Sequence, residues 1–126
     1  HLRRLLVNLL DNAQRYASEK TGAIVVSTEA IAPAHATLRV WSDGQPLEAS
    51  VQRHLFEPFF SSESRSSGLG LFICRELCDR YDASIGYDRT LRARCGALVE
   101  GNEFRIRFEA LHASSSDSAL QALAAP

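Results

Sequence analysis

The chain has 126 residues, 45% apolar, 23% charged and 8% aromatic, which describes one small domain able to bury roughly two thirds of its unfolded surface. Fourteen basic against fifteen acidic side chains leave a formal charge of -1, so general nucleic-acid or anionic-membrane binding has no compositional support. No apolar run approaches the roughly 20 residues of a bilayer-spanning helix, no secretory signal is present, and neither a heptad repeat nor a disordered composition runs through the chain. The sequence contains no Met and opens at His1 directly in a helical pattern; it is expected to be part of a longer protein. Thirteen of its fourteen basic residues are Arg, a bias that reads as genome composition.

The first predicted element is a helix over residues 2 to 17. Leu2, Leu5, Leu6, Leu9, Ala13, Tyr16 and Ala17 recur at three- and four-residue steps and form one apolar face. Thr21-Gly22 ends it, and β-branched residues 23 to 29 predict a strand. A turn around Pro33 leads to a second strand over 36 to 42, giving a hairpin. A loop starts at Asp43-Gly44, residues 48 to 55 predict a short helix, and Pro58 stops helix within FEPFF at 56 to 60. SSESRSS at 61 to 67 reads as a mobile loop. A second long helix is predicted from Gly68 to Tyr81, with Gly70, Ile73, Cys74, Leu77, Cys78 and Tyr81 on one face. Strands follow at 83 to 88 and 103 to 109, joined by an ill-defined connection that holds Gly96 and Gly101. Residues 111 to 126 are low in complexity and read as a frayed tail after a domain spanning 1 to 110. The order predicts an α+β two-layer sandwich, a mixed sheet covered by helices on one face. Cys74, Cys78 and Cys95 read as reduced core thiols, and the scattered His residues lack metal-ligand spacing.

Three features carry chemistry. Asn8, Asn12 and Arg15 fall at i, i+4 and i+7 of the first helix. They lie within roughly 60° of one another and about 90 to 120° from the centre of the Leu stripe. Amide oxygens there suit a hard cation, and the guanidinium suits phosphate. SSGLGL at 66 to 71 opens the second long helix, where glycines admit a ligand to the backbone and first-turn N–H groups attract phosphate. Ser42-Asp43-Gly44 ends the second strand, where a side chain can meet a base or ribose. Each feature alone is also an ordinary polar face, helix start or turn.

Together, in this order, they resemble the nucleotide-binding catalytic domain of two-component sensor histidine kinases, in the superfamily of gyrase and MutL. LLVNLLDNAQRYA at 5 to 17 resembles that family's N box, HLFEPFF at 54 to 60 its F box, and SSGLGLFICRELCDRY at 66 to 81 its second glycine box. GNEF at 101 to 104 is similar to the Gly-x-x-Phe opening its last strand. The resemblance implies ATP and Mg²⁺ as ligands, with Asn12 holding the metal and Asn8 one turn earlier. The hydrolysing relatives carry a Glu on that turn; Asn is a poor base, which favours transfer to a protein over hydrolysis. Arg15 matches a basic residue facing the phosphates and Tyr16 an aromatic near the nucleotide. Ser67, Gly68, Leu69, Gly70 and Leu71 match the hinge and helix start around the triphosphate. SSESRSS would be a short ATP lid from which Arg65 and the serines touch phosphate.

The sequence departs from the pattern in one place. Where the family has Asp-x-Gly-x-Gly, with the Asp on the adenine amino group, this chain has Ser42, then Gly44, then Pro46, and its Asp43 comes one residue late. A one-residue shift in extended chain points a side chain to the opposite face. Three alternatives stand: a bulge brings Asp43 to the base, Ser42 and a water serve, or base recognition is weak or lost. None of His1, His35, His54 or His112 has the phosphoacceptor's setting, and the strand that precedes the first helix in the family has no counterpart. The implied partners are a phosphoacceptor helical hairpin of the same kinase and a downstream response regulator, with no nucleic acid. The domain is expected to be cytoplasmic and monomeric alone and its parent dimeric, with an inner-membrane anchor of the parent left open. Competing readings are a degenerate module that docks on a kinase without binding ATP, and a superfamily ATPase, which Asn8 disfavours.

Overall fold

The computed structural model describes residues 2–31, 35–60 and 69–108. In chain order these form α1 (Leu2–Tyr16), β1 (Ile24–Ile31), β2 (His35–Ser42), α2 (Ala49–Arg53), α3 (Gly70–Arg80), β3 (Ala83–Arg94) and β4 (Ala97–Phe108). The lid expected at 61 to 67, with Ser67 and Gly68, and the tail expected from 111 onward lie outside the described residues.

The strands make a four-stranded sheet in the order β1-β2-β4-β3. All three pairings are antiparallel, so the sheet of the described residues is antiparallel rather than mixed. The cause is connectivity. β1–β2 and β3–β4 are hairpins, and β4 meets β2 in the opposed sense, with Leu38 opposite Ile106 and Val40 opposite Phe104. One face is covered by helices, as the patterning requires. Ala36, Leu38 and Val40 of β2 and Phe104, Ile106 and Phe108 of β4 alternate inward. They meet Leu5, Leu9 and Ala13 of α1 and Cys74, Leu77 and Cys78 of α3. Tyr81, expected on the buried face of α3, is instead exposed, because the helix ends at Arg80 and Asp82 turns the chain into β3 at φ 53°.

The thiol of Cys74 donates to the Leu5 carbonyl at 3.7 Å and ties α3 to α1. Burial, with Cys78 nearby, pushes the Cys74 thiol up to about 12. Burial, with Asp79 nearby, pushes Cys78 up to about 11. These two are core thiols, as expected; Cys95 is not, being exposed.

The ill-defined connection expected between the last two strands is a regular hairpin. Pairing runs from Ala83 opposite Phe108 to Arg94 opposite Ala97. The turn is Cys95-Gly96, with φ of 52° and 80°; positive φ at both central residues suits the right-handed twist of a two-residue hairpin. Its alternation is obscured in the sequence because β2 pairs with β4 only over Asn102–Phe108. Beyond that, residues 90–94 and 97–101 form an arm that folds back over the outer side of the sheet. Trp41 is 1% exposed although its β2 neighbours Val40 and Ser42 face the helices. Gly101 of the arm lies against the Trp41 ring, and a Cβ there would overlap both the ring and the Ser42 carbonyl oxygen. Further along the outer face, Glu29, Arg39, Glu103, Arg105 and Asp88 form a ladder of ion pairs across all four strands.

Candidate functional site

Between the helical layer and the end of the sheet lies a cleft of about 360 Å³. α1 supplies one edge through Asn8, Asp11, Asn12, Arg15 and Tyr16, and the start of α3 supplies another through Leu69, Gly70, Leu71 and Ile73. Ser42, Asn102 and Phe104 form the floor, and Leu47, Val51, Leu55 and Phe60 form an apolar wall. The cleft thus has two chemical halves. One offers amides, a guanidinium and the N–H groups of a helix start. The other offers apolar surface around two buried polar side chains.

α1 builds its edge by periodicity: Leu5, Leu9 and Ala13 bury one stripe, which turns Asn8, Asn12 and Arg15 toward the cleft. The Asn8 Nδ2 is buried and finds no hydrogen-bond partner among the described residues. An amide hydrogen left in this condition costs free energy that an incoming acceptor oxygen would recover. At α3 the N-cap residue is Leu69, which makes no side-chain cap hydrogen bond.

The wall is held by local bonds. Gln52 of α2 donates to the Leu47 carbonyl at 2.8 Å. His54, half exposed, pairs with Glu57 at 2.8 Å and sets its ring 5.4 Å from Phe60. Phe56 stands edge-on to Phe104 at 6.4 Å.

Of the sequence-predicted residues, Asn8, Asn12, Arg15, Tyr16, Ser42, Leu69, Gly70 and Leu71 line this one cleft. Asp43 and Gly44 do not. The side chain of Asp43, 3% exposed, turns to the far side. There Ser18 donates to it from its backbone N–H at 2.8 Å and from its hydroxyl at 2.5 Å. Arg94 of the arm donates to it at 2.6 Å. Burial works to raise the Asp43 pKa, but the Ser18 and Arg94 hydrogen bonds outweigh it and hold the carboxyl at about 2. No bulge brings Asp43 into the cleft here, and the reversed face follows from β2 staying in register with β1 through Ile24 opposite Ser42. Gly44 instead serves close packing: a Cβ there would stand 2.8 Å from the Tyr16 carbonyl oxygen.

Sequence reasoning missed Asn102. It sits opposite Ser42 on β4 and is 4% exposed. Its amide donates to the Gln45 carbonyl at 2.8 Å, and its carbonyl accepts from the Tyr87 hydroxyl at 2.5 Å and from Arg89 at 3.2 Å. Arg89 also donates to the Gly44 carbonyl at 2.6 Å. These bonds pin the loop after β2 that shapes the floor. The available signal was GNEF itself, in which Asn precedes a core Phe by two residues and must share its face. Asp11, Leu47, Val51, Leu55, Phe60 and Ile73 also reach the cleft from places that spacing alone does not reveal.

Among the described residues no group of three or more His, Cys, Asp or Glu is placed to hold a metal. Likewise, no described helix is long and apolar enough to cross a membrane.

An amide ridge facing an uncapped helix start across a cleft, on one side of a four-stranded sheet, is the arrangement of a known family. The chain belongs to it: the family described as histidine kinase-, DNA gyrase B-, and HSP90-like ATPase matches residues 1–112. Its relatives place it among the sensor histidine kinases. It is 37% identical over 92 residues to the sensor protein kinase PilS of Pseudomonas aeruginosa, a match covering 68% of this chain and 17% of that protein. The solved mycobacterial sensor histidine kinase MprB superposes with a TM-score of 0.70 at 27% identity, over 83% of this chain and 69% of that one. Full-length ShkA, solved in complex with AMPPNP, superposes at 0.67 and 25% identity over 89% of this chain and 22% of that one. The chain therefore corresponds to the catalytic domain of such kinases and spans under a fifth of PilS.

Proposed function

We propose that the cleft binds Mg²⁺-chelated ATP and that the domain presents the γ-phosphoryl group to a histidine on a separate helical hairpin of the same kinase. One observation carries the reading: the two chemical halves meet in a single cleft, the polar half suited to a triphosphate and the apolar half to a base. Arg15, the Asn8 amide and the first N–H groups at Gly70 and Leu71 face the phosphates. Tyr16 lies beside the nucleotide, and Ser42 takes the base edge. Ser67 and Gly68 belong to the approach to α3 on sequence grounds.

The residues fit magnesium. Mg²⁺ takes few protein ligands and completes its shell with phosphate and water oxygens, and the amide oxygen of Asn12 is the protein ligand here. When bound, the ion neutralises charge on the triphosphate. Asn8 is a poor base and leaves water unactivated. The acceptor imidazole nitrogen attacks the γ-phosphorus, the bond to the β,γ-bridging oxygen breaks, and ADP leaves. The phosphoryl group then passes to a response regulator. The parent kinase dimerises through the hairpin, while this domain alone is monomeric and cytoplasmic.

Calorimetric titration of the folded chain with Mg²⁺-ATP tests this. Saturable heat at or below millimolar nucleotide is expected; none at that concentration overturns it. The absence of Asp43 from the cleft favours a second reading, a docking module that holds no nucleotide, and the same titration decides between them.

A further inference from the structure

We propose that this cleft takes purine nucleotides without discriminating the amino edge of adenine from the keto edge of guanine, and that Ser42 is the residue that reads the base. The proposal rests on nucleotide binding in the cleft. Its basis is the polarity of the hydrogen-bonding groups on the floor. The adenine amino group donates, whereas the guanine carbonyl accepts. Discrimination between them needs a group of fixed polarity.

Among the described residues no side-chain acceptor of fixed polarity stands open on the floor. Ser42, 5% exposed, is the residue of the Ser42-Asp43 pair that lines the cleft. Asp43, an acceptor only, is bound on the far side by Ser18 and Arg94. Asp11 is the carboxylate among the described lining residues, but it sits exposed on α1 beside Asn12. Asn102 stands next to Ser42, yet its carbonyl already accepts from Tyr87 and Arg89 and one amide hydrogen goes to Gln45. Toward a ligand it retains only a donor. A hydroxyl rotates and serves either polarity. An amino edge is received by the Ser42 oxygen, and a keto edge by the Ser42 hydrogen or by the spare Asn102 N–H. The apolar wall of Leu47, Val51, Leu55 and Phe60 contacts ring faces, which both purines share.

Titration calorimetry of the chain with Mg²⁺ and the β,γ-imido analogues of ATP and GTP, and with inorganic tripolyphosphate, tests this. Neutral hydrogen bonds of either polarity have similar net worth, so the two nucleotide dissociation constants are expected within about tenfold of each other. Both nucleotides should bind at least about tenfold more tightly than tripolyphosphate, through the ring contacts. Ser42→Asp installs an acceptor of fixed polarity and should weaken the GTP analogue by more than about tenfold relative to the ATP analogue. Ser42→Ala, which avoids a buried charge, should weaken both by a similar factor and keep their ratio. Melting followed by Trp41 fluorescence reports whether each variant is folded; should Ser42→Asp unfold, the wild-type ratio and Ser42→Ala decide.

A preference of the wild-type chain for either nucleotide analogue beyond about tenfold overturns the proposal. So does tripolyphosphate binding as tightly as the nucleotides, or a folded Ser42→Ala that leaves both affinities unchanged. If neither nucleotide binds the folded chain, the functional reading fails and this one with it.

Discussion

The two halves of the cleft are built by different means. The α1 edge is one continuous segment: a buried Leu5–Leu9–Ala13 stripe aims Asn8, Asn12 and Arg15 in one direction. The floor is assembled from segments far apart in the chain. Ser42 ends β2, Asn102 comes from β4, and the loop between Asp43 and Leu47 is tied by Ser18, Asn102, Arg89 and Arg94, with Tyr87 donating to Asn102 in turn. A helix orients its side chains by local hydrogen bonding, whereas a strand end is oriented by whatever its neighbours hold. Substitutions on the helical edge should therefore alter binding with little change in stability. Those behind the floor should alter stability first.

The largest effect is expected at the helical edge. Asn12→Ala should weaken Mg²⁺-dependent ATP binding by about a hundredfold or more, because it removes the side chain that would hold the ion in the proposed function. Calorimetry with and without Mg²⁺ reads it; affinity equal to wild type in a folded variant would remove the metal assignment. Behind the floor, Gly101→Val should destabilise by about 3 kcal/mol, because even a Cβ overlaps Trp41 and the Ser42 carbonyl. Urea unfolding followed by Trp41 fluorescence measures that loss, and wild-type stability would show that the arm does not press on the sheet.

Asp43→Ala should cost about 1.5 to 3 kcal/mol by removing charge-assisted hydrogen bonds from Ser18 and Arg94. Its pH dependence has a definite sign. The folded carboxyl titrates at about 2 against an ordinary 3.8. Between those values the unfolded chain holds more protons, and stability rises with pH. The Asp43 contribution is complete above 3.8 and is lost as the pH falls through about 2, so the variant should show a flatter acid limb in that window. An unchanged limb would mean that the Arg94 contact does not hold the carboxylate. The smallest effect belongs to Tyr87→Phe, about 0.5 to 1.5 kcal/mol from one hydrogen bond to Asn102. Equal losses in Mg²⁺-dependent affinity from Tyr87→Phe and Asn12→Ala would erase the contrast between the halves.

Much of the helical half was legible. The 3.6-residue repeat located α1 and its polar ridge, and the apolar spacing of Ile73, Cys74, Leu77 and Cys78 located α3. The alternation of Phe104, Ile106 and Phe108 located the inner half of β4. The arm was not legible. Residues 90–94 and 97–101 mix Arg with small and apolar side chains and lie off the apolar core, with Leu91 and Leu98 exposed, so no period survives in the sequence. Asn102 was missed for the same reason, since its partners Tyr87, Arg89 and Gln45 are distant in sequence and meet only through strand pairing.

By itself, the sequence determined the helices, the strand hairpins' inner faces and the amide ridge, because these follow from periodicities that each segment carries within it. It also said that Ser42 and Asp43 face opposite ways if the chain stays extended, and left a bulge open as the alternative. Which of them faces the cleft was decided only by the tertiary structure. Pairing to β1 and β4 sets the register of β2, and the returning arm brings Arg94 to the carboxylate that the register turns outward.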